Sequence, residues 1–209
     1  MRVRGLALAA VALAGVVAAP SPARATPRPR VRLATSMGDV VVELYPDVAP
    51  ATVANFLAYV EAGFYDGTIV HRVVRNFILQ AGGLTPALEE KRDGLRAPVP
   101  SEADHGVANA TGTLAMARTS APDSARAQFF VNLHDNWFLD HPAALDHVGY
   151  TVFGAVVDGM DVVRRIEQVR TSVRHGYPNV PVEPVVVRSA TLLPATGISD
   201  TTTPSAGPP

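Results

Sequence analysis

The sequence predicts a mainly β fold, a closed antiparallel β-barrel capped by two short α-helices. Runs rich in β-branched and aromatic residues recur along the chain, and only two segments carry the apolar spacing of an amphipathic helix. Strands that outnumber helices in this way favour a barrel, because closure leaves no sheet edge exposed. The 209 residues, 47% of them hydrophobic, are sufficient for one domain with a sizeable core.

The folded unit is predicted to begin with a β-hairpin and a helix. Apolar residues alternate up to Leu44 in a segment that starts at Val31 and turns at residues 36–39, which predicts two paired strands. Pro50 suits the first position of a helix, and Gly63 suits its end. Four apolar residues between them fall at i, i+3, i+4 and i+7: Val53, Phe56, Leu57 and Val60. This single apolar stripe predicts a helix that covers a sheet.

Further strands and a second helix follow. The strands are predicted at residues 69–74, 77–81, 113–117, 129–133, 151–157 and 185–193. Met160, Val163 and Ile166 mark a second short amphipathic helix. The polar stretch from Gly82 to about Gly112 is predicted to be a long loop, and loops of this length commonly lie beside binding sites.

Both ends of the chain are predicted to lie outside the fold. Residues 1–25 have the layout of a secretory signal, with two early arginines, an apolar stretch and small residues before a cleavage point after Ala25. A retained membrane anchor is the alternative, but the apolar stretch is shorter than the roughly 20 residues that span a bilayer. Residues 26–30 are predicted to be a flexible linker, and the Pro/Thr/Ser-rich residues 194–209 a disordered tail. The folded unit is therefore residues 31–193.

Composition and missing motifs exclude several function classes. The net charge of −1 offers no basic face for nucleic acid. The chain has no cysteine, which excludes disulfides, thiolate nucleophiles, cysteine-bound zinc and a lipid-modified cysteine. Phosphate-binding glycine loops and the Gly-x-Ser-x-Gly hydrolase motif are missing too. The histidines lack metal-ligand spacing, so no metal or other cofactor is expected, and all are predicted to be scattered on the surface: His71, His105, His134, His141, His147 and His175.

Three stretches in sequence carry a resemblance to a known family. They are residues 70–83 (VHRVVRNFILQAGG), 112–118 (GTLAMAR) and 124–132 (SARAQFFVN), and in residue type, order and spacing they resemble the signature regions of cyclophilins. The resemblance implies an eight-stranded antiparallel barrel closed by two helices, and prolyl cis-trans isomerisation without a cofactor. Residues 136–140 and 149–154 resemble the secreted bacterial branch of the family. That similarity implies an exported bacterial protein, located in the periplasm, the cell envelope or the extracellular space, that assists the folding of exported proteins.

The resemblance also implies a set of site residues. Arg72 takes the place of the catalytic arginine, with Gln80 beside it. The pocket for the proline ring is expected from Phe77, Ile78, Phe130 and Leu139, and Met116 and Ala117 are expected to form the wall along the substrate backbone. The remaining substrate-binding positions are Arg118, Gln128, Phe138 and Tyr150. Phe129 is assigned to the core, since neighbouring residues of a strand point to opposite faces.

Two of these positions differ from the best-known eukaryotic members. Phe138 stands where those proteins carry a tryptophan, and Tyr150 where they carry a histidine. The family tryptophan donates its indole N–H to cyclosporin, and phenylalanine has no donor. Weak cyclosporin binding with retained catalysis is therefore expected.

Other functions are compatible with parts of the sequence. A non-catalytic chaperone would use the same pocket to hold proline-containing segments of unfolded proteins, but would have no need of Arg72 and Gln80. A structural envelope protein would use the Pro/Thr-rich tail. By itself, Arg72 is typical of a surface ion pair, and the phenylalanines are typical of a core. The partners expected for the isomerase are proline-containing polypeptides, unfolded or exported. A monomer is expected, with no nucleic-acid partner and no membrane contact after signal cleavage.

Overall fold

The computed structural model describes residues 28–194. The predicted signal segment, and the predicted tail apart from Pro194, lie outside the described residues. The helices are α1 (Pro50–Glu61) and α2 (Met160–Glu167). The strands are β1 (Arg30–Thr35), β2 (Gly38–Leu44), β3 (Ile69–Val70), β4 (Arg72–Val74), β5 (Ile78–Ala81), β6 (Thr113–Met116), β7 (Phe129–Asn132), β8 (Val152–Asp158), β9 (Thr171–Arg174), β10 (Tyr177–Pro181) and β11 (Val185–Leu192).

Nine of the strands form one antiparallel sheet that curls into a barrel. Its order is β3-β11-β1-β2-β8-β6-β7-β5-β4. The two outermost strands, β3 and β4, are consecutive in the chain and are separated only by His71, so this segment closes the barrel. The predicted strand at residues 69–74 is thus divided in two, which accounts for nine strands where eight were expected.

The interior of the barrel is an aromatic core beneath α1. The ring of Phe56 on the helix lies 5.1, 5.5 and 5.2 Å from the rings of Tyr65, Phe129 and Phe153. All four side chains are buried, and the Tyr65 hydroxyl donates to the Ala127 carbonyl at 3.0 Å. Burial of rings of this size provides much of the free energy that holds helix and barrel together.

The first turn of α1 is completed by a residue from the long loop. Pro50 occupies the first helical turn, and Ala49 at the N-cap offers no side-chain acceptor. The buried carboxylate of Glu102 instead accepts hydrogen bonds from the backbone N–H groups of Ala51 (3.0 Å) and Thr52 (2.9 Å). A carboxylate is favourable at a helix N-terminus. It also attaches the predicted loop to the body of the fold. The loop contains a short 3₁₀ turn at Ala103–His105 and isolated β-bridges at Leu84–Glu90 and Val99–Ala125.

The elements differ from the sequence prediction in two further places. β9 and β10 form a separate two-stranded hairpin that was not predicted. Their residues are mostly exposed, so they lack the apolar alternation that marks a half-buried strand. β1 begins at Arg30, one residue before the predicted start of the fold, and Arg28 pairs with Asp47 at 2.8 Å. Neither helix of the described region is long and apolar enough to cross a membrane.

Candidate active site

A row of residues crosses the outer face of the sheet. Arg72 on β4 pairs with Gln80 on β5, Gln80 pairs with Phe130 on β7, and Phe130 pairs with Ala115 on β6. Paired residues of neighbouring strands project to the same side of a sheet. Strand register therefore places the predicted catalytic arginine, its glutamine and the floor of the predicted pocket side by side.

The polar end of this row is a chain of hydrogen bonds. Arg72 Nη1 donates to Gln80 Oε1 at 3.4 Å, and Gln80 Nε2 donates to Gln128 Oε1 at 2.9 Å. Gln128 lies directly against Gly83, where an added Cβ would come within 2.4 Å of the Gln128 Cγ. Glycine at position 83 thus leaves room for the Gln128 side chain, which accepts the hydrogen bond from Gln80. Because Gln80 uses its oxygen on Arg72 and its nitrogen on Gln128, it holds the guanidinium at the edge of the site.

The apolar end of the row is a cluster on the outer face. Its fully buried members are Ile78, Ala115, Phe130 and Val152, and its half-buried members include Phe77, Ala117, Leu139 and Tyr150. Phe138 is 44% exposed and stacks on Phe77 with ring centroids 5.7 Å apart. The guanidinium of Arg72 lies 5.9 Å from the Phe77 ring. The arginine therefore borders an apolar surface that can receive a nonpolar ring.

A buried network of asparagine amides supports the walls of this cluster. Asn136 Nδ2 donates to the Phe77 carbonyl at 3.0 Å and to Asn132 Oδ1 at 2.8 Å. Asn132 Nδ2 donates to Asn109 Oδ1 at 3.1 Å. The Asn109 backbone N–H donates to Asp140 Oδ1 at 2.6 Å. These bonds join the loops that carry Phe77 and Leu139, so the amides set the distance between two pocket walls.

Arg118 fastens another wall of the cluster. Its side chain is only 4% exposed, and Nε donates to the Gly149 carbonyl at 2.9 Å. The guanidinium also pairs with Asp146 and lies 4.6 Å above the ring of Tyr150, which in turn meets Phe130 edge-on at 5.6 Å. The hydrogen bond from Arg118 lowers the pKa of Asp146 to about 2, so the pair stays charged at neutral pH. Arg118 was predicted to bind substrate, and here its donors are engaged by the protein itself.

Met116 and His71 lie elsewhere than the sequence interpretation placed them. The Met116 side chain is in the barrel interior, on the same face of β6 as Leu114, so it does not line the outer groove. Alternation with Ala115 would have indicated this. His71 is buried at the break between β3 and β4, which corrects its prediction as a surface residue. Burial, aided by the nearby charge of Arg72, lowers its pKa to about 4.

Two cavities adjoin the hydrogen-bond chain. One of about 420 Å³ is lined by Ala117 and Arg118, and one of about 410 Å³ by His71 and Tyr177. Both reach Gln80 and Gln128, so an extended peptide has space on more than one side of the row. Sequence reasoning did not identify the asparagine network or Tyr177. The only available signal for the network was the presence of amides within otherwise apolar strand and turn segments.

The site combines one cationic side chain with a surface of apolar side chains. In the described ranges, no group of three or more histidine and acidic side chains is arranged to hold a metal ion. What the site offers is a fixed cationic donor beside an apolar pocket. Such a pair can bind a nonpolar ring and stabilise negative charge or a lone pair that develops next to it.

Comparison with known proteins identifies the family of this chain. Residues 30–192 match the family model for cyclophilin type peptidyl-prolyl cis-trans isomerases. The chain is 51% identical over 164 residues to the peptidyl-prolyl cis-trans isomerase cyp18 of Streptomyces antibioticus, covering 78% of this chain and 98% of that protein. It is 46% identical over 187 residues to peptidyl-prolyl cis-trans isomerase A of Dickeya dadantii, covering 89% of this chain and 96% of that one.

A solved structure shows the same fold at lower sequence similarity. A cyclophilin type isomerase of Cryptosporidium parvum superposes with a TM-score of 0.62 and 22% identity, covering 80% of this chain and 98% of that one. The fold, the family model and the bacterial relatives agree, and the chain belongs to the cyclophilin family of peptidyl-prolyl cis-trans isomerases.

Proposed function

We propose that Arg72 is the catalytic residue of this isomerase and that it acts on the nitrogen of a bound proline. The barrier to rotation, roughly 18–20 kcal/mol, arises from conjugation between the nitrogen lone pair and the carbonyl. As the bond twists, the nitrogen becomes pyramidal and its lone pair localises. A guanidinium donor then binds the twisted state more strongly than the planar one, which lowers the barrier.

The single observation that carries this proposal is the position of Arg72. Its guanidinium is held by Gln80 at 3.4 Å and lies 5.9 Å from the ring of Phe77, at the border of the apolar cluster. A proline ring seated against Phe77 and Phe130 would bring its nitrogen to the arginine edge. The apolar surroundings exclude water and strengthen the interaction. The acyl side of the bond is then free to turn.

A coupled assay of cis-to-trans conversion on a short Ala-Pro-Phe peptide tests the proposal. We expect rapid turnover by the wild-type chain and a loss of about 100- to 1000-fold in Arg72→Ala, the range seen when one transition-state donor is removed. Circular dichroism would check that the variant folds. Arg32→Ala is a matched control, because Arg32 is an exposed arginine on β1 that lies 3.9 Å from Asp39 and lines neither cavity beside the site.

Equal turnover by Arg72→Ala and wild type would remove Arg72 from the mechanism. Absence of turnover in a folded wild-type chain would instead favour the binding-module function, in which the same pocket holds proline-containing segments without chemistry.

We further propose that the enzyme is exported and serves unfolded exported polypeptides. The support is the pattern of residues 1–25, which combines early arginines, an apolar stretch and a small-residue cleavage site. We expect the mature chain to begin at Thr26. Expression of the full chain in a bacterium, followed by fractionation and N-terminal sequencing, tests this. Full-length protein that stays in the cytoplasm would contradict it.

A further inference from the structure

Trp137 is an exposed aromatic residue at the edge of the candidate site. It is the only tryptophan of the chain and lies in the short 3₁₀ turn Trp137–Leu139, directly before Phe138. Its side chain is 69% exposed. Leaving most of an indole in water forfeits the free energy that its burial would provide. The core therefore does not explain a tryptophan at this position.

Aromatic rings link Trp137 to Arg72. The Trp137 ring meets Phe138 edge-on at 6.1 Å, Phe138 stacks on Phe77 at 5.7 Å, and the Arg72 guanidinium lies 5.9 Å from the Phe77 ring. Phe77 belongs to the apolar cluster of the site, and Trp137 lies outside that cluster, two ring contacts away from Phe77. The indole is thus continuous with the surface that the proline ring is proposed to occupy.

We propose that Trp137 extends this surface into a subsite for an aromatic or large aliphatic side chain of the same polypeptide whose proline is bound. An extended chain advances roughly 3.3 Å per residue, so the two ring-to-ring steps from Phe77 place the indole about two to four residues from the proline. Large apolar side chains near proline are mostly buried in folded proteins and become accessible along the whole of an unfolded segment. The subsite would therefore select unfolded clients over folded surfaces. This inference rests on the proposed function of the site.

The experiment compares peptides that differ only in one residue near the proline. Each peptide carries either phenylalanine or glycine at a position two, three or four residues before or after it. We expect wild type to show kcat/KM about two- to tenfold higher for phenylalanine at one or more of these positions, the range that one aromatic pair supports. Trp137→Ala should reduce this preference to near one.

Leu145→Ala is the matched control. Leu145 is fully exposed on the neighbouring loop and belongs to none of the three apolar clusters, so its removal should leave the preference intact. Absence of any preference in wild type, or an undiminished preference in Trp137→Ala, would overturn the inference.

A binding readout separates this inference from the proposed function. Because Trp137 is the only tryptophan, its fluorescence emission reports directly on this part of the surface. If no peptide is turned over, the proposed function fails. A shift of emission with phenylalanine peptides but not with their glycine partners would still support the subsite, and no difference between the two would refute it.

Discussion

Phe129 and Phe130 are neighbours on β7 and have different surroundings. Phe129 points into the barrel and packs against Phe56 at 5.5 Å and Tyr65 at 5.5 Å, both in edge-on contact. Phe130 points outward, where its aromatic contact is Tyr150 at 5.6 Å and its row continues to Gln80. Both are about 2% exposed. Burial alone therefore does not distinguish a residue of the core from a residue of the site.

The two faces of the sheet differ in what surrounds their apolar residues. The interior cluster is enclosed by α1 and the other strands, and its members pack mainly on one another. The outer cluster is bordered by polar groups, with Arg72 and Gln80 on one side and the amide of Asn136 on another. A fully enclosed cluster contributes mainly to stability. A cluster with an open side and oriented polar neighbours can bind and act on a ligand.

The largest effect is expected from substitution of the two phenylalanines. Phe129→Ala should lower the free energy of unfolding by about 3–5 kcal/mol, because it leaves a cavity between helix and barrel. Phe130→Ala should cost less stability, since its site can open to solvent, and should reduce kcat/KM more. Urea unfolding and the coupled peptide assay measure the two quantities. If the two variants lost the same free energy of unfolding and the same fraction of kcat/KM, the inner face would not be specialised for stability or the outer face for activity.

The burial of His71, at the break between β3 and β4, predicts how the stability of the protein depends on pH. Its folded-state pKa of about 4 lies below its ordinary value of 6.5, because burial disfavours the charged ring. The unfolded chain therefore takes up a proton as pH falls through 6.5, and the folded chain does so only near 4. The contribution of neutral His71 to the free energy of unfolding should be fully present above pH 6.5. It should be lost as pH falls, so that the free energy of unfolding decreases by roughly 3 kcal/mol as pH approaches 4.

Urea unfolding of wild type and His71→Gln between pH 7.5 and about 4 measures this effect. In His71→Gln, the free energy of unfolding should lose most of its dependence on pH. His134→Gln removes an exposed histidine and serves as the control, so it should keep the wild-type dependence. Histidine titration by NMR in the folded wild type gives a direct value if His71→Gln does not fold. A His71 that titrates near 6.5 would contradict the buried, neutral state.

A substitution in the asparagine network tests whether its buried hydrogen bonds are needed to position the walls of the outer cluster. Asn136→Ala removes the donor to the Phe77 carbonyl and leaves Asn132 Oδ1 without that partner. We expect a stability loss of about 1–3 kcal/mol, typical of an unsatisfied buried group. The loosened wall should raise KM with a smaller change in kcat, because the Asn136 side chain bonds to Phe77 and Asn132 and not to Arg72 or Gln80. Wild-type KM in a folded Asn136→Ala would show that the network does not position the pocket.

The smallest effect concerns inhibitor binding at the rim. Phe138 is 44% exposed, so the surface can accept a larger ring there. Phe138→Trp supplies an indole N–H donor, and one hydrogen bond of about 0.5–1.5 kcal/mol should strengthen cyclosporin inhibition by up to about tenfold. Phe138→Leu, which adds no donor, should give no gain. Low-nanomolar inhibition of the wild type would contradict the expectation of weak binding.

Much of the architecture could be predicted from local sequence pattern. Alternation along β7 assigned Phe129 to the core, and the core assignment is confirmed by its contacts. Both helices were located from their apolar spacing, since each buries one stripe against the sheet. The β9–β10 hairpin was missed because it buries little and so leaves no such pattern.

By itself, the sequence determined the strand alternation, the two helices and the family motifs that contain Arg72, Gln80 and Phe130. Each of these is encoded within a short segment. Only the tertiary structure decided that Arg118 is engaged by Gly149 and Asp146, that His71 is buried, and that Asn109 bonds to Asp140, 31 positions away. These features depend on the register and closure of the barrel, which bring distant segments together. A buried polar group meets its hydrogen-bond partner only when the barrel closes, so no local sequence pattern predicts the contact.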